Sequence, residues 1–241
     1  MSSILPVLGI TLSTLFLSSC VINTNDNERS GPTEDMKKTI ELDKTTSDRV
    51  QIKMGAGTVN LRGGSANLMD ADFKYNVPSW KPVVKYEATG ERGNLSIEQP
   101  SGEHSGLGNH EYTWDIQLND QKPLSLSLDF GAGECNLNAG TLTLDSLDVN
   151  MGVGKMQLDL RGTPKKDYAV RIRGGVGEAT VYVPTKVGVV AYASGGLGAI
   201  DVKGLQKRGD RYVNDAYETN AKVSVRVDIS GGIGAIHLIG Q

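Results

Sequence analysis

The residue types that could do chemistry in this chain are few and poorly grouped. His104 and His110, with Glu103 and Glu111, are metal-ligand types in a glycine-rich loop, but their spacing is not that of a helical zinc motif. They read as a polar loop, and no metal site is assigned. Asp and Glu scatter over positions expected to face outward, so no pair of carboxylates can be placed for glycoside hydrolysis. No Gly-x-Ser-x-Gly or comparable nucleophile signature occurs. The glycine-rich stretches invite a phosphate-cradling reading, which needs a strand before the loop and a helix after it. Here each is followed by another strand-like run, so no cofactor and no catalytic residue is assigned. Arg208-Gly209-Asp210 spells an adhesion tripeptide, which a Gly-Asp turn already explains. Trp80 and Trp114 are the remaining ligand-contact candidates. Their ring faces could stack on a sugar, although large aromatics more often pack an insertion onto its scaffold.

The strongest chemical signal is a thiol. An apolar run, Ile4 to Leu17, leads into Leu17-Ser18-Ser19-Cys20. The run is too short to span a bilayer and is broken by Pro6 and Gly9, as in the apolar core of a secretory signal. An aliphatic residue, two small residues and Cys resemble the bacterial lipobox, in which the Cys thiol takes a diacylglycerol and the freed amine a further acyl chain. The alternatives are an ordinary signal with a chance Cys, or a short buried helix. Residues 1–19 therefore read as a lipoprotein signal peptide, with Cys20 as the lipidation site and the membrane as its partner through that lipid. Val21, rather than Asp, follows the Cys. That favours the outer membrane if the source has one. Residues 20–37 are Asn-, Asp-, Glu- and Ser-rich and without periodicity, a tether.

Composition narrows the rest. The formal charge of −3 argues against a phosphate-backbone binder, so no nucleic-acid partner is expected. Hydrophobic residues at 38% suffice for a core, and two Cys cannot make a disulfide scaffold. Cys135, with Cys20 consumed by lipid, is expected to be a buried unpaired thiol.

The elements are set by a repeat. Gly-x-Gly recurs at 55–57, 131–133, 152–154, 175–177, 196–198 and 232–234. One, three and five residues before each first Gly, apolar or Gly residues alternate with others, as in Val50, Ile52, Met54 and Leu147, Val149, Met151. After the triplet two more inward columns follow, beginning Val59, Cys135, Met156 and Leu61, Leu137, Leu158. Period two marks half-buried strands. The middle residue of each triplet is apolar too, so the phase slips by one at each corner. Such a slip reverses the faces unless the chain bends there, which Gly permits. The expectation is an all-β fold: a β-solenoid or tightly wound two-sheet repeat with Gly-x-Gly corners, in one domain over 38–241. In the outward column Asn60, Asn136, Gln157, Thr180, Asp201 and His237, the stacked Asn and Gln could form an amide ladder or simply be solvated. Two insertions interrupt the stack: a β-rich one at 63–123, with strands around Phe73–Val77, Val83–Glu87 and Leu95–Ile97, and a hairpin-bearing one at 204–220. The run Ala235–Ile239 is expected to form the terminal rung, with the 204–220 hairpin over part of its edge; the alternative is an open edge that docks a partner or a second copy.

Several phrases resemble the toast-rack family of bacterial envelope proteins. They are Tyr75-Asn76-Val77-Pro78-Ser79-Trp80-Lys81-Pro82, Leu118-Asn119-Asp120, Phe130-Gly131-Ala132-Gly133-Glu134 and Tyr212-Val213-Asn214-Asp215-Ala216-Tyr217. The resemblance covers about 38–241. Related domains form the extracytoplasmic ends of LiaF-like cell-wall stress proteins, and more distant glycine-repeat relatives are grouped as adhesins. It implies an all-β extracytoplasmic domain for binding or sensing, and supplies no catalytic residues. The combined expectation is a lipid-anchored structural or interaction protein of the envelope, not an enzyme, in envelope stress or adhesion. The alternative is a carbohydrate-binding module for peptidoglycan or surface polysaccharide.

Overall fold

The computed structural model describes residues 31–100, 110–219 and 221–241. Strands run in chain order as β1 (Glu34–Ile40), β2 (Ser47–Arg62), β3 (Met69–Tyr75), β4 (Val83–Thr89), β5 (Arg92–Glu98), β6 (Tyr112–Leu118), β7 (Leu124–Asn138) and β8 (Leu144–Asp159). They continue as β9 (Tyr168–Val183), β10 (Gly188–Lys203), β11 (Gln206–Arg208), β12 (Arg211–Val213) and β13 (Ser224–Gly240), with a four-residue helix α1 (Asp215–Glu218) before the last. β1 starts four residues inside the stretch read as tether. It is an edge strand whose alternation is masked by charge, with only Met36 and Ile40 packed on the core.

Six of these strands, β2, β7, β8, β9, β13 and β10, each carry one triplet near the middle. They stack in parallel with the triplets in register, from Ala56↔Ala132 through Val176↔Ile233 to Leu197↔Ile233. Each strand thus has a first arm, a glycine corner and a second arm. The inward columns of both arms, such as Val50, Ile52, Val59 and Leu61 on β2, enter one core. Fully buried aliphatic side chains such as Ile52, Leu128 and Val149 contribute roughly 1.5–3 kcal/mol each.

The neighbouring rung bars a side chain at both glycines of a triplet, and backbone conformation adds a further demand at the second. The second one has positive φ, from 125° at Gly133 to 148° at Gly198. The first lies so close to the neighbouring rung that a Cβ on Gly131 would stand 2.1 Å from the Gly55 carbonyl oxygen. Parallel strands 4.8 Å apart with aligned corners leave no room for side chains there.

The order of the rungs corrects one sequence expectation. β13 is not terminal: it lies between β9 and β10, paired on both sides, so β10 is the outer rung. The 204–220 insertion lets the chain double back. Its hairpin joins β10 through Val190↔Val213 and Ala191↔Tyr212, on the first arm only, and does not cover Ala235–Ile239. Asn214 fastens this end, accepting from the Val189 and Tyr217 N–H groups and donating to the Val187 carbonyl.

The 63–123 insertion closes the opposite end. β5 and then β4 extend the first arm of β2, while β6, β3 and β1 extend its second arm. Strands anticipated near 73–77, 83–87 and 95–97 are β3, β4 and β5. β6 was not anticipated, though Tyr112, Trp114, Ile116 and Leu118 alternate inward.

Candidate interaction face at the glycine corners

The middle residues of the triplets point away from the core and meet across neighbouring rungs. In spatial order they are Ala56, Ala132, Val153, Val176, Ile233 and Leu197. Their size grows towards β10, and the large ones are exposed: Val153 by 53%, Val176 by 44%, Ile233 by 55% and Leu197 by 71%. A continuous apolar ridge therefore runs along the outside of the corners, an arrangement that marks interaction surfaces on soluble folds.

The flanks of the ridge change along the stack. Before the corner stand Lys53, Asp129, Asn150 and Arg173, and then Ser230 and Ser194; after it stand Thr58, Glu134, Lys155 and Glu178, and then Ala235 and Ala199. Charge disappears at β13 and β10, where the ridge is bulkiest. On the charged part the outward residues ladder between strands. Asn150 donates to Asp129 at 2.7 Å, and Arg173 to Asn150 at 3.2 Å. On the second arm Asn136 donates to Asn60 at 3.0 Å and Asn60 to the Asp115 carboxylate at 2.8 Å, so of the anticipated amide column only the Asn60–Asn136 pair is bonded.

Behind the ridge the corner is hollow. The inward residue next to the corner is Met54, Phe130 and Met151 on β2, β7 and β8, but Gly174, Gly231 and Gly195 on β9, β13 and β10. A Cβ on Gly174 would meet nothing within 4 Å. The missing side chains leave a cavity of about 60 Å³ among Ile172, Ala179, Ile229, Ile236 and Ile200, floored by Met151. In the chain these glycines are separate features; only the placement of β13 beside both β9 and β10 makes them contiguous.

The two ends of the corner stack are treated differently. At β2 the Gln99 side-chain carbonyl accepts from the N–H groups of Gly55 (2.7 Å) and Ala56 (3.3 Å), capping the first corner. Among the described residues no side chain does the same for the β10 corner.

The residues singled out by type are dispersed. Trp114 is fully buried, edge-on to Phe73 at 5.5 Å and to Tyr112 at 5.5 Å. Trp80 is 8% exposed and packs on Tyr112 and His110, and its backbone carbonyl accepts from the Tyr112 hydroxyl at 2.7 Å. Neither ring presents a face to solvent, so sugar stacking is closed to both; they pack the insertion onto the stack. Arg208 is held by Glu218 at 2.6 Å, which folds the tripeptide's cation back onto α1. Cys135 is free and fully buried, and burial pushes its thiol up to about 12. Cys20, the signal segment, His104 and Glu103 lie outside the described residues. Among the described residues no cluster of His, Cys, Asp and Glu could hold a metal, and no helix is long and apolar enough to cross a membrane.

One polar cluster sits under the start of the stack. Lys122 Nζ lies 2.8 Å from Asp43 and 3.2 Å from Asp48, whose side chain is buried, and also contacts the Thr45 hydroxyl. Tyr86 donates to Asp43 at 2.6 Å. The cluster ties the approach to β2 and the approach to β7 to β4. It is a staple between segments, and all its charges are partnered.

Comparison with known proteins agrees with this architecture. The N-terminal domain of toast_rack matches residues 29–182, and the C-terminal domain of LiaF, described as a cell wall-active antibiotics response protein, matches 132–238. A crystal structure of a candidate cell adhesion protein from Clostridium sporogenes is 36% identical, with a TM-score of 0.82, covering 87% of this chain and 100% of its own. A candidate adhesin from Bacteroides fragilis is 9% identical with a TM-score of 0.31, covering 86% of this chain and 96% of its own. No curated protein matches. The glycine-cornered stack, its insertion, the toast-rack match over 29–182 and the 36% identical Clostridium sporogenes structure agree: the chain belongs to the toast-rack family.

Proposed function

We propose that this chain is a lipid-anchored, non-enzymatic envelope protein that holds another envelope component against its glycine-corner ridge. The observation that carries the reading is the ridge itself, where Val153, Val176, Ile233 and Leu197 stand exposed in register on four adjacent strands. A soluble fold does not need four aligned aliphatic side chains in water, and the loss of flanking charge at β13 and β10 suits an apolar contact. The LiaF-like match and the likeness to a candidate cell adhesion protein support an envelope setting and an interaction role. Lipidation at Cys20 supplies the anchor, and Val21 favours the outer membrane where one exists. The glycan-module alternative loses its main support with the burial of Trp80 and Trp114.

The test is photocrosslinking in native membranes from a probe at Val153, with Leu197→Asp and Ile233→Asp as variants. The expected result is a discrete adduct that both variants remove while the fold, followed by circular dichroism, persists. An adduct indifferent to both substitutions would remove the ridge from the function.

A further inference from the structure

The ridge and the point where the chain joins the fold lie on the same side of the molecule. Gly31 N–H donates to the Asn76 carbonyl, and Glu34 pairs with Tyr75, which pairs with Tyr112. Tyr112 stands level with the first corner: Thr113 pairs with Thr58, and a Cβ on Gly57 would come 2.4 Å from the Tyr112 carbonyl oxygen. β1 therefore begins at the level of the corners and runs away from them, so residues 20–30 join the fold on its ridge side. Fully extended, those residues span at most about 40 Å. A lipid on Cys20 thus keeps the corner side close to its bilayer at high effective concentration, where a weak contact suffices.

The chemistry of the ridge suits hydrocarbon better than a protein surface. It is a single file one side chain wide, whereas a standard protein interface buries about 800 Å² per partner and carries roughly one hydrogen bond per 100–200 Å². Where the ridge is bulkiest it offers no such bonds. The Ser230 and Ser194 hydroxyls turn back onto the Ile172 and Ile229 carbonyls, and Ala235 and Ala199 stand on the other flank. Hydrocarbon asks neither shape complementarity nor hydrogen bonding of an aliphatic side chain that enters it.

We infer that the partner of the ridge is the bilayer that carries the Cys20 lipid, with Val153, Val176, Ile233 and Leu197 seated at the boundary between headgroups and acyl chains. The inference rests on the ridge being the contact surface and on lipidation of Cys20. The lipid holds the β1 end, and the ridge, whose side chains grow from Ala56 to Leu197, holds the other. The corner side then lies along the membrane instead of pivoting on the tether. So narrow a contact orients the domain but does not retain it once the lipid is removed. Beside the ridge, Lys53, Lys155 and Arg173 are balanced by Asp129, Glu134 and Glu178, so the contact does not depend on anionic lipid.

The experiment uses the full chain, held by its N-terminal lipid in protein-free liposomes. An environment-sensitive dye is placed on Leu197→Cys, or on Leu42→Cys as the control. Leu42 is also exposed, by 44%, but follows the end of β1 that lies away from the corners. Buried Cys135 does not label. The dye at 197 is expected to be quenched by nitroxide-bearing lipid and shielded from aqueous iodide, and the dye at 42 the reverse. The result is expected to be the same in phosphatidylcholine alone and with phosphatidylglycerol added. Val176→Asp and Ile233→Asp are expected to return the dye at 197 to the level of the one at 42, with circular dichroism confirming the fold. A dye at 197 that stays open to iodide, or that stays quenched by lipid in both Asp variants, would overturn the inference. Shielding in native membranes but not in liposomes would mean a protein partner, which overturns it while leaving the ridge as the contact surface. A chain that carries no lipid at Cys20 would overturn it as well.

Discussion

At the scale of single residues, the charges that meet beneath the start of β2 serve structure. Asp43 is the clearest case. Burial alone would raise its pKa, but hydrogen bonds from Lys122, Thr45 and Tyr86 outweigh that and hold the carboxyl well below the usual range. A carboxylate depressed on folding adds stability that is complete above its unfolded pKa, near 4, and is lost as pH falls towards the folded value. Tyr86 is shifted the other way, pushed up to about 12 by burial and by its bond to Asp43. Its contribution is complete below pH 10 and fades as pH climbs towards 12. Asp43→Asn is therefore expected to lower the melting temperature at pH 7, with the gap to the wild type narrowing between pH 4 and pH 2. Thermal unfolding at stepped pH checks this; a gap that stays constant into acid would show that the carboxylate charge is not what matters. Neither residue stood out in the sequence. Asp43, Thr45, Asp48, Tyr86 and Lys122 span eighty positions, and nothing in their spacing announces that they meet.

At the scale of the elements, the glycine corner explains why this fold tolerates long strands that turn on themselves. Gly154 illustrates both constraints at once. Its φ is 139°, and an added Cβ would sit 2.0 Å from the Gly133 carbonyl oxygen, a backbone atom that cannot move without disturbing the next rung. Gly209, at the β11–β12 turn, also has positive φ, 65°, but open space around it. Gly154→Ala is expected to cost at least about 3 kcal/mol or prevent folding, because strain and overlap add. Gly209→Ala should cost about 1 kcal/mol, from backbone strain alone. Urea midpoints of the two variants measure the difference; similar losses at both positions would deny the inter-rung overlap. The sequence showed where the corners are. The side chains that fill or vacate them, Met54, Phe130 and Met151 against Gly174, Gly231 and Gly195, acquire meaning only once the strands are ordered.

At the scale of the whole molecule, the two ends of the stack differ. From β1 to β10 the second-arm layer crosses nine strands, roughly 38 Å at the usual spacing. Gly31, the first described residue, lies at the β1 end, where its N–H donates to the Asn76 carbonyl, opposite the bulkiest part of the ridge. On the proposed lipidation of Cys20, several acyl chains at about 0.8 kcal/mol per buried methylene would make attachment durable. Cys20→Ser is expected to shift the protein from the membrane to the soluble fraction, and loss of radiolabelled fatty acid incorporation should accompany it. A Cys20→Ser chain that still sediments with membranes would mean that another segment anchors it.

What the sequence determined by itself was local: the period of two, the phase slip at each triplet, and hence strands, corners and an inward face. These follow from backbone geometry and sterics, which act over a few residues. The proposal for Cys20 is local too, since a peptidase reads a short linear pattern. Tertiary structure alone decided that β13 enters between β9 and β10, because in a parallel stack any of the later rungs has an equivalent inward face and register does not encode neighbour order. That choice gathers Val176, Ile233 and Leu197 into one ridge and three glycines into one hollow. It also makes β10, rather than β13, the outer rung of the six. It decided the tryptophans as well. A ring in an insertion can face water or scaffold equally well by pattern, and Trp80 and Trp114 are buried because β6 and the turn before β4 close over the end of the stack.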